Sequence, residues 1–359
     1  MVETMRAAVY EGNGKLVVQD VVVPSLHGIL APKKFEKGYV AIKTDDTCLI
    51  EVEAAGICGT DFHILEGKHG SSPPIILGHE YIGRVVDTGW SVTHIQRGDR
   101  VAVDPNIKCG VCEFCRNARP NMCRNMSTLG IFMDGGFARY NLVPAKQLYR
   151  LPEEIPSHRA VFFEPLACVM HGLEKVRPRF SDRVLIYGGG TIGCLFALSL
   201  SLSGIREIIV IEPSELRKSY AFHMGARSVI HPSQEEKKIR ASDFDLVIDA
   251  AGASGIVPHM IEYARPGARL LLFGQQNVTV RDTASFTMAN QKELEIHGSY
   301  AASYSFNRTI ETLCSSNPRI KRLEYLVSHT LGVDDIHCAM ELLKTGNALK
   351  VVITPGKVK

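Results

Sequence analysis

Residues 183–193 read R-V-L-I-Y-G-G-G-T-I-G, an apolar run that ends in G-x-G-x-x-G at Gly188, Gly190 and Gly193. Glycines at this spacing permit a tight turn, let the backbone approach a pyrophosphate, and allow a helix to pack closely on the strand before it. The N-terminus of that helix then faces the anion. Alone the motif is common, and its context is what constrains the fold. A helix is predicted from Thr191 to Ser203, then a strand I-I-V-I-E ending at Glu212, a helix from Glu215 to Met224, and strands L-V-I-D-A and L-L-L-F-G. Strand and helix in turn imply a parallel, doubly wound sheet. Glu212 ends the second strand, where an acid accepts both hydroxyls of an adenosine ribose. That suits NAD, because the extra phosphate of NADP would lie against the carboxylate.

The residues before this run have a different texture. Short runs at Arg6–Tyr10, Cys48–Ala54, Ile82–Val86 and Arg100–Val103 are rich in β-branched residues and separated by Gly, Pro and Asp, which predicts an irregular barrel or sandwich. After Gly298 the chain passes through a Ser/Tyr/Asn segment into amphipathic helical patterns and closes on the strand-like K-V-V-I-T-P. A chain of 359 residues suits two domains. Borders at Arg177–Asp182 and Ala301–Asn307 give a catalytic domain of residues 1–177 completed by 302–359, and a dinucleotide-binding domain of 178–301. Ser25–Asp46 lacks periodicity and reads as a loop or hairpin. Trp90, between a glycine and a turn, is expected to pack.

The formal charge of +3 is spread without a long basic run, so a nucleic-acid partner is not expected. No apolar stretch reaches the roughly 18 to 20 residues that cross a bilayer, and M-V-E-T-M-R-A-A-V-Y lacks the apolar core of a signal peptide. A cytoplasmic protein is expected, with no membrane partner. Of ten cysteines, Cys109, Cys112, Cys115 and Cys123 fall in the pattern C-x2-C-x2-C-x7-C. In a long chain such clustering favours metal ligation over disulfides. Four thiolates on a tight turn can surround a tetrahedral zinc with no position left for water. An iron-sulfur cluster accepts the same ligands, although nothing else in the sequence suggests electron transfer. The other cysteines apart from Cys58, namely Cys48, Cys168, Cys194, Cys314 and Cys338, read as small apolar residues.

Three further segments carry ligand-type residues beside glycine or proline: G-I-C-G-T-D at 56–61, G-H-E at 78–80 and E-P-L-A-C at 164–168. A catalytic zinc takes mixed ligands and keeps an exchangeable position. Cys58, His79 and a carboxylate supply such a set, although the spacing alone is a weak signal.

With D-G-G-F-A at 134–138, these motifs stand in one order along the chain. In that order they resemble the zinc-containing medium-chain dehydrogenase family, in its polyol and threonine dehydrogenase branch. The resemblance covers nearly the whole chain from about Thr47. It implies a GroES-like β-rich catalytic domain beside a Rossmann domain, and a homo-oligomer, dimer or tetramer. It implies one catalytic and one structural zinc per chain. Cys58 and His79 would hold the catalytic ion, with Glu80 as third ligand in some members and Glu164 in others. Thr60 and His63 would relay the hydroxyl proton by way of the cofactor ribose. Arg217 would lie near the adenosine, and Ile192, Leu272, Phe273, Gly274, Ser299 and Tyr300 would line the nicotinamide half.

The implied reaction moves a hydride from a secondary alcohol of a polyol or sugar derivative to NAD, at a site expected between the domains. Tyr300 resembles the threonine enzymes and keeps a 3-hydroxy amino acid as the alternative substrate. Ala301-Ala302 stands where sorbitol-type members carry Arg-Tyr, so sorbitol itself is not expected. A non-catalytic nucleotide-binding protein on this fold would be expected to have lost a ligand or relay residue, and none is missing. A zinc-free reductase on the same scaffold would lack the four-cysteine lobe and G-H-E.

Overall fold

The computed structural model of the chain describes residues 3–26, 43–275 and 283–356. Most of the Ser25–Asp46 stretch therefore lies outside the described residues. The chain divides into two units, one of Met1–Pro165, Phe306–Cys314 and Val327–Lys359, the other of Leu166–Ser305 and Ser315–Leu326. As the sequence suggests, a β-rich unit is joined in one chain to a parallel, doubly wound sheet.

The first unit is organised around the strand Thr47–Gly56. Between Leu49 and Ala54 its residues alternate between partial and full burial, as the two faces of a strand require. Across the largest sheet run Leu148–Arg150, Arg100–Val103, Glu80–Thr88, Thr47–Gly56, Lys350–Ile353 and Val327–Leu331, with Tyr140–Pro144 also paired to Thr47–Gly56. Thr4–Gly12 pairs with Lys15–Val22 and Ile75–Ile76 in a smaller sheet. Ile50, Val52, Tyr81, Val85, Val101, Val103, Phe137, Val351 and Ile353 lie in one buried core. Phe306 is held in this unit by its ring contacts, at 5.4 Å to Tyr149 and 5.2 Å to Phe163.

Register decides what this sheet brings together. Thr47–Gly56 and Glu80–Thr88 run antiparallel from Cys48 opposite Thr88 to Gly56 opposite Glu80. Cys58 therefore leaves the end of one strand beside the point where His79 enters the other. Val352 pairs with Gly56 from the opposite side, so the last strand borders the same corner.

The second unit is a six-stranded sheet in the order Ser228–Ile230, Glu207–Ile211, Arg183–Tyr187, Phe244–Asp249, Ala264–Leu272, Glu295–Gly298. Each neighbouring pair is parallel. The central strands are almost wholly buried, as strands covered on both faces must be. Chain order reverses beside Arg183–Tyr187, the switch point at which such sheets bind ligands beyond their carboxyl ends. The helices Thr191–Leu202 and Glu215–His223 end within a residue of their expected limits.

One expectation fails. Trp90 does not pack: it is 86% exposed. A Cβ at Gly89 would lie 2.3 Å from Asp45 O, so the backbone itself fills the space beneath this turn and the indole is left outside. No helix among the described residues is long and apolar enough to cross a membrane.

Candidate metal centre and nucleotide site

Cys58 caps the helix Gly59–Leu65, and its N–H donates to Asp61 Oδ2 at 2.9 Å. This local bond fixes the turn that presents the thiol. Thr60 Oγ1 lies 3.7 Å from Cys58 Sγ. From the facing strand come His79 and Glu80, and ligand atoms of Cys58, His79 and Glu80 all lie within 4.8 Å of one another. Asp61 Oδ1 is 3.6 Å from His79 Nδ1, and both atoms are buried without a hydrogen-bond partner. At this distance the carboxylate acts on the imidazole as a neighbouring charge, and a small closure would give the hydrogen bond by which a carboxylate orients a metal-ligating ring. Burial disfavours a charged His79, but the neighbouring Cys58 and Asp61 outweigh it and raise its pKa well above the ordinary value. The group thus brings a thiol, an imidazole and a carboxylate to face one another, a donor set that suits zinc once thiol and imidazole give up their protons to it.

A cation from the far end of the chain completes this corner. Lys350 Nζ donates to Ile57 O at 2.9 Å and forms a close ion pair with Glu80 Oε2. Lys350 and Glu80 are each only 2% exposed. Burial works against the ammonium, yet the adjacent Glu80 carboxylate leaves its pKa above the usual lysine value. Gly56 gives the pair room, since a Cβ there would lie 2.6 Å from Lys350 Cε and 2.7 Å from Glu80 Oε2. Sequence reasoning gave a role to neither Asp61, read only as part of G-I-C-G-T-D, nor Lys350.

Glu164, in the helix Phe163–Val176, is buried but does not belong to the group formed by Cys58, His79 and Glu80. His63 lies one turn beyond Thr60 on the helix Gly59–Leu65, and its Nδ1 is buried without a partner.

The four-cysteine lobe folds between the short paired strands Asn106–Ile107 and Ser127–Thr128. The sulfurs of Cys109, Cys112, Cys115 and Cys123 lie within 4.8 Å of one another. Two of the separations are 3.5 Å, Cys123 to Cys109, and 3.9 Å, Cys112 to Cys123. A tetrahedron with zinc-sulfur bonds of about 2.3 Å has edges of about 3.8 Å, so the lobe fits one ion; a multi-iron cluster would spread its thiolates further. Backbone N–H groups point at the sulfurs, from Cys109 to Cys123 Sγ at 3.3 Å and from Cys112 to Cys109 Sγ at 3.4 Å. Similar bonds from Cys115 and Arg124 pull the Cys112 pKa down to about 6, whereas burial and the neighbouring thiols push Cys115 up to about 12, because close-set thiols cannot all ionise without a cation between them.

In the second unit the glycine turn is built around Glu212. Its Oε2 accepts from Gly189 N at 2.7 Å and its Oε1 from Ser214 N at 2.9 Å, which fixes the carboxylate at the end of its strand. A Cβ at Gly193 would lie 1.8 Å from Gly188 O, so helix and turn touch there, whereas one at Gly190 would meet nothing within 4 Å. That open side faces the N-terminus of the helix Thr191–Leu202, which also carries Ile192, and a helix N-terminus suits an anion such as a pyrophosphate. Arg217 stands in the first turn of the next helix, with its Nε buried and unpartnered. Leu272 ends its strand, and Phe273 N and Gly274 N both donate to Asp249 O, at 3.2 and 2.9 Å. Ser299 N donates to Leu272 O at 3.0 Å. Tyr300 follows, half exposed. All the residues expected to bind cofactor therefore lie at the carboxyl ends of the strands or in the helical turns that follow them.

Comparison with known proteins agrees with this geometry. The alcohol dehydrogenase GroES-like domain matches residues 44–153, and the zinc-binding dehydrogenase domain matches residues 191–315. The chain is 30% identical to D-arabinitol dehydrogenase 1 of Uromyces fabae over 90% of its own length and 95% of the relative's. It is 33% identical to the L-threonine 3-dehydrogenase of Thermococcus kodakarensis over 86% of its length and 91% of the relative's. Among solved structures, a zinc-binding dehydrogenase from Sinorhizobium meliloti 1021, bound to NADP, superposes with a TM-score of 0.87 at 30% identity, covering 98% of this chain and 100% of the other. With its metal-ligand groups, glycine turn and paired domains, the chain belongs to the zinc-containing medium-chain alcohol dehydrogenase family and is a nicotinamide-dependent alcohol oxidoreductase.

Proposed function

We propose that the chain oxidises a secondary hydroxyl of a polyol or sugar derivative to a ketone, with NAD as hydride acceptor. The observation that carries this reading is the carboxylate in the metal group: Glu80 completes a set with Cys58 and His79, and a carboxylate-bearing set resembles the polyol and threonine branch and not the members that take simple alcohols with a second cysteine ligand. A polar, hydrogen-bonding shell suits a substrate with several hydroxyls, because each buried hydroxyl needs a partner. Zinc, when bound, supplies Lewis acidity that makes the substrate hydroxyl a better proton donor, and NAD supplies the acceptor for the hydride. The rest is done by side chains. Cys58, His79 and Glu80 hold the ion, Asp61 orients His79, and Thr60 and His63 carry the proton away from the hydroxyl. The lobe cysteines hold a second, structural ion.

The test is a comparison of kcat/KM for several polyols, inositols, sugar acids, L-threonine and 2-butanol under identical conditions. Polyhydroxy compounds are expected to lead. A second reading, oxidation of a 3-hydroxy amino acid, is favoured by the similarity to the Thermococcus enzyme; L-threonine ahead of every polyol by an order of magnitude would establish it instead. If 2-butanol led, the argument from Glu80 would fail.

Preference for NAD follows from Glu212, whose charge is pinned by two backbone N–H groups. A like charge brought against it costs several kcal/mol, so NAD should exceed NADP by about 100-fold or more in kcat/KM at 1.4 kcal/mol per tenfold. Glu212→Gln should narrow the gap. Equal use of both cofactors by the unaltered enzyme would remove this role from Glu212, and the NADP held by the Sinorhizobium relative makes the measurement decisive.

A further inference from the structure

The turn that presents His79 has little of its own to hold it. Gly78 sits at φ +94°, a conformation that only glycine adopts freely, and the strand begins only at Glu80. What fixes the turn is the segment Asp134–Phe137, laid against it backbone to backbone. Gly135 N donates to Ile76 O at 2.8 Å, Gly136 N to Gly78 O at 2.7 Å and Phe137 N to Leu77 O at 3.0 Å. In the other direction Ile76 N donates to Asp134 Oδ1 at 3.1 Å. The two backbones are so close that a Cβ at Gly135 would fall 2.2 Å from Gly78 O, and one at Gly130 2.3 Å from the same oxygen. Asn141, 2% exposed, anchors the segment by donating through Nδ2 to Asp134 O at 2.8 Å and Gly135 O at 2.7 Å. Asn141 itself belongs to the strand Tyr140–Pro144, which pairs with Thr47–Gly56, the strand leading to Cys58.

We propose that Asp134, Gly135, Gly136 and Asn141 form a positioning brace that sets the direction of the His79 imidazole and so the retention of the catalytic metal. The proposal rests on the assignment of that metal to Cys58, His79 and Glu80. None of the four belongs to the ligand group Cys58, His79 and Glu80; they act through the peptide planes at 76–78. Because the hydrogen bonds are made to main chain, the brace depends on glycines for approach and on Asp134 and Asn141 for fixed length. Outer residues that orient a metal ligand typically change affinity about 10- to 100-fold when removed.

The test uses the metal-loaded enzyme and the variants Asp134→Ala, Asp134→Asn and Asn141→Ala. Asp134 is exposed, so its replacement threatens the fold little. Release of the labile ion to a chromophoric chelator is followed while the cysteine-lobe ion serves as an internal reference, and a cobalt-substituted sample reports the ligand field by its visible absorption. Asp134→Ala and Asn141→Ala are expected to release the labile ion about 10- to 100-fold faster, with a shifted cobalt band and the lobe ion retained. Asp134→Asn keeps an oxygen for the Ile76 N–H and should behave as the parent. Unchanged release from the two alanine variants would overturn the brace, as would release that speeds up equally in Asp134→Asn or in step with lost thermal stability. A parent enzyme that yields only the lobe ion would overturn the metal assignment itself, a result readily told apart from unchanged release rates.

Discussion

Replacing His79 by alanine is expected to lower kcat/KM by about 1,000-fold or more. A bound Lewis acid contributes several kcal/mol of transition-state stabilisation, and each 1.36 kcal/mol is a factor of ten. His79 is one of three donors that, among the described residues, converge on the candidate catalytic site, so its loss leaves the Cys58 thiol and a carboxylate already engaged by Lys350. The fold should survive, because the sheet pairings of Glu80–Thr88 begin after His79. Elemental analysis should find one ion fewer per chain, with the lobe ion still present. A variant retaining more than about a tenth of the parent's kcat/KM, a cost under 1.4 kcal/mol, would show that His79 does not hold a catalytic metal.

The second large effect concerns stability. Lys350→Met in the metal-free protein is expected to cost about 3–5 kcal/mol, the usual penalty when one partner of a buried ion pair is removed and the other charge remains. Here the charge left behind is Glu80, 2% exposed and opposite Gly56. The double variant Lys350→Met with Glu80→Gln removes both charges and should recover most of the loss. Denaturant unfolding of the metal-free proteins measures this directly. Equal stability of parent and Lys350→Met would mean that the pair is not closed in solution. In the metal-loaded protein the cost should be smaller, because the ion offers the carboxylate another positive partner.

The features legible from sequence were those whose evidence is local. Gly188, Gly190, Gly193 and Glu212 announce themselves because the turn, helix and acid that bind a dinucleotide are contiguous, and the strand order built on them is as expected. The four lobe cysteines are legible for the same reason. Cys58, His79 and Glu80 are isolated letters, and only their order among other motifs suggested that they meet; the register between Thr47–Gly56 and Glu80–Thr88 is what brings them together. Lys350 was not legible at all. In K-V-V-I a lysine at the head of an apolar strand reads as a solvated end, and nothing nearby in sequence reveals a carboxylate that the sheet places against it. Asp61 did carry a signal, an acid three residues after the residue that caps a helix, but its second task behind His79 depends on the neighbouring strand. Asp134–Ala138 was legible as a motif and not as a brace, because its partners are main-chain atoms with no residue identity to read.

The contact between Glu80 and Lys350 spans 270 positions of sequence, and on a ribosome that distance is time. At about 5–20 residues per second, roughly fifteen to fifty seconds separate the emergence of Cys58, His79 and Glu80 from that of Lys350. During that interval the nascent first unit has its acidic corner without the lysine, and its central strand Thr47–Gly56 still has an edge waiting for Lys350–Ile353. The corner is then at its most negative and least enclosed. A zinc ion available at this stage would meet ligands before the final strand has paired beside them and before Lys350 has neutralised Glu80. Reloading the stripped complete chain must instead compete with Lys350 for the Glu80 carboxylate, so metal uptake after folding should be slower than metal uptake during synthesis.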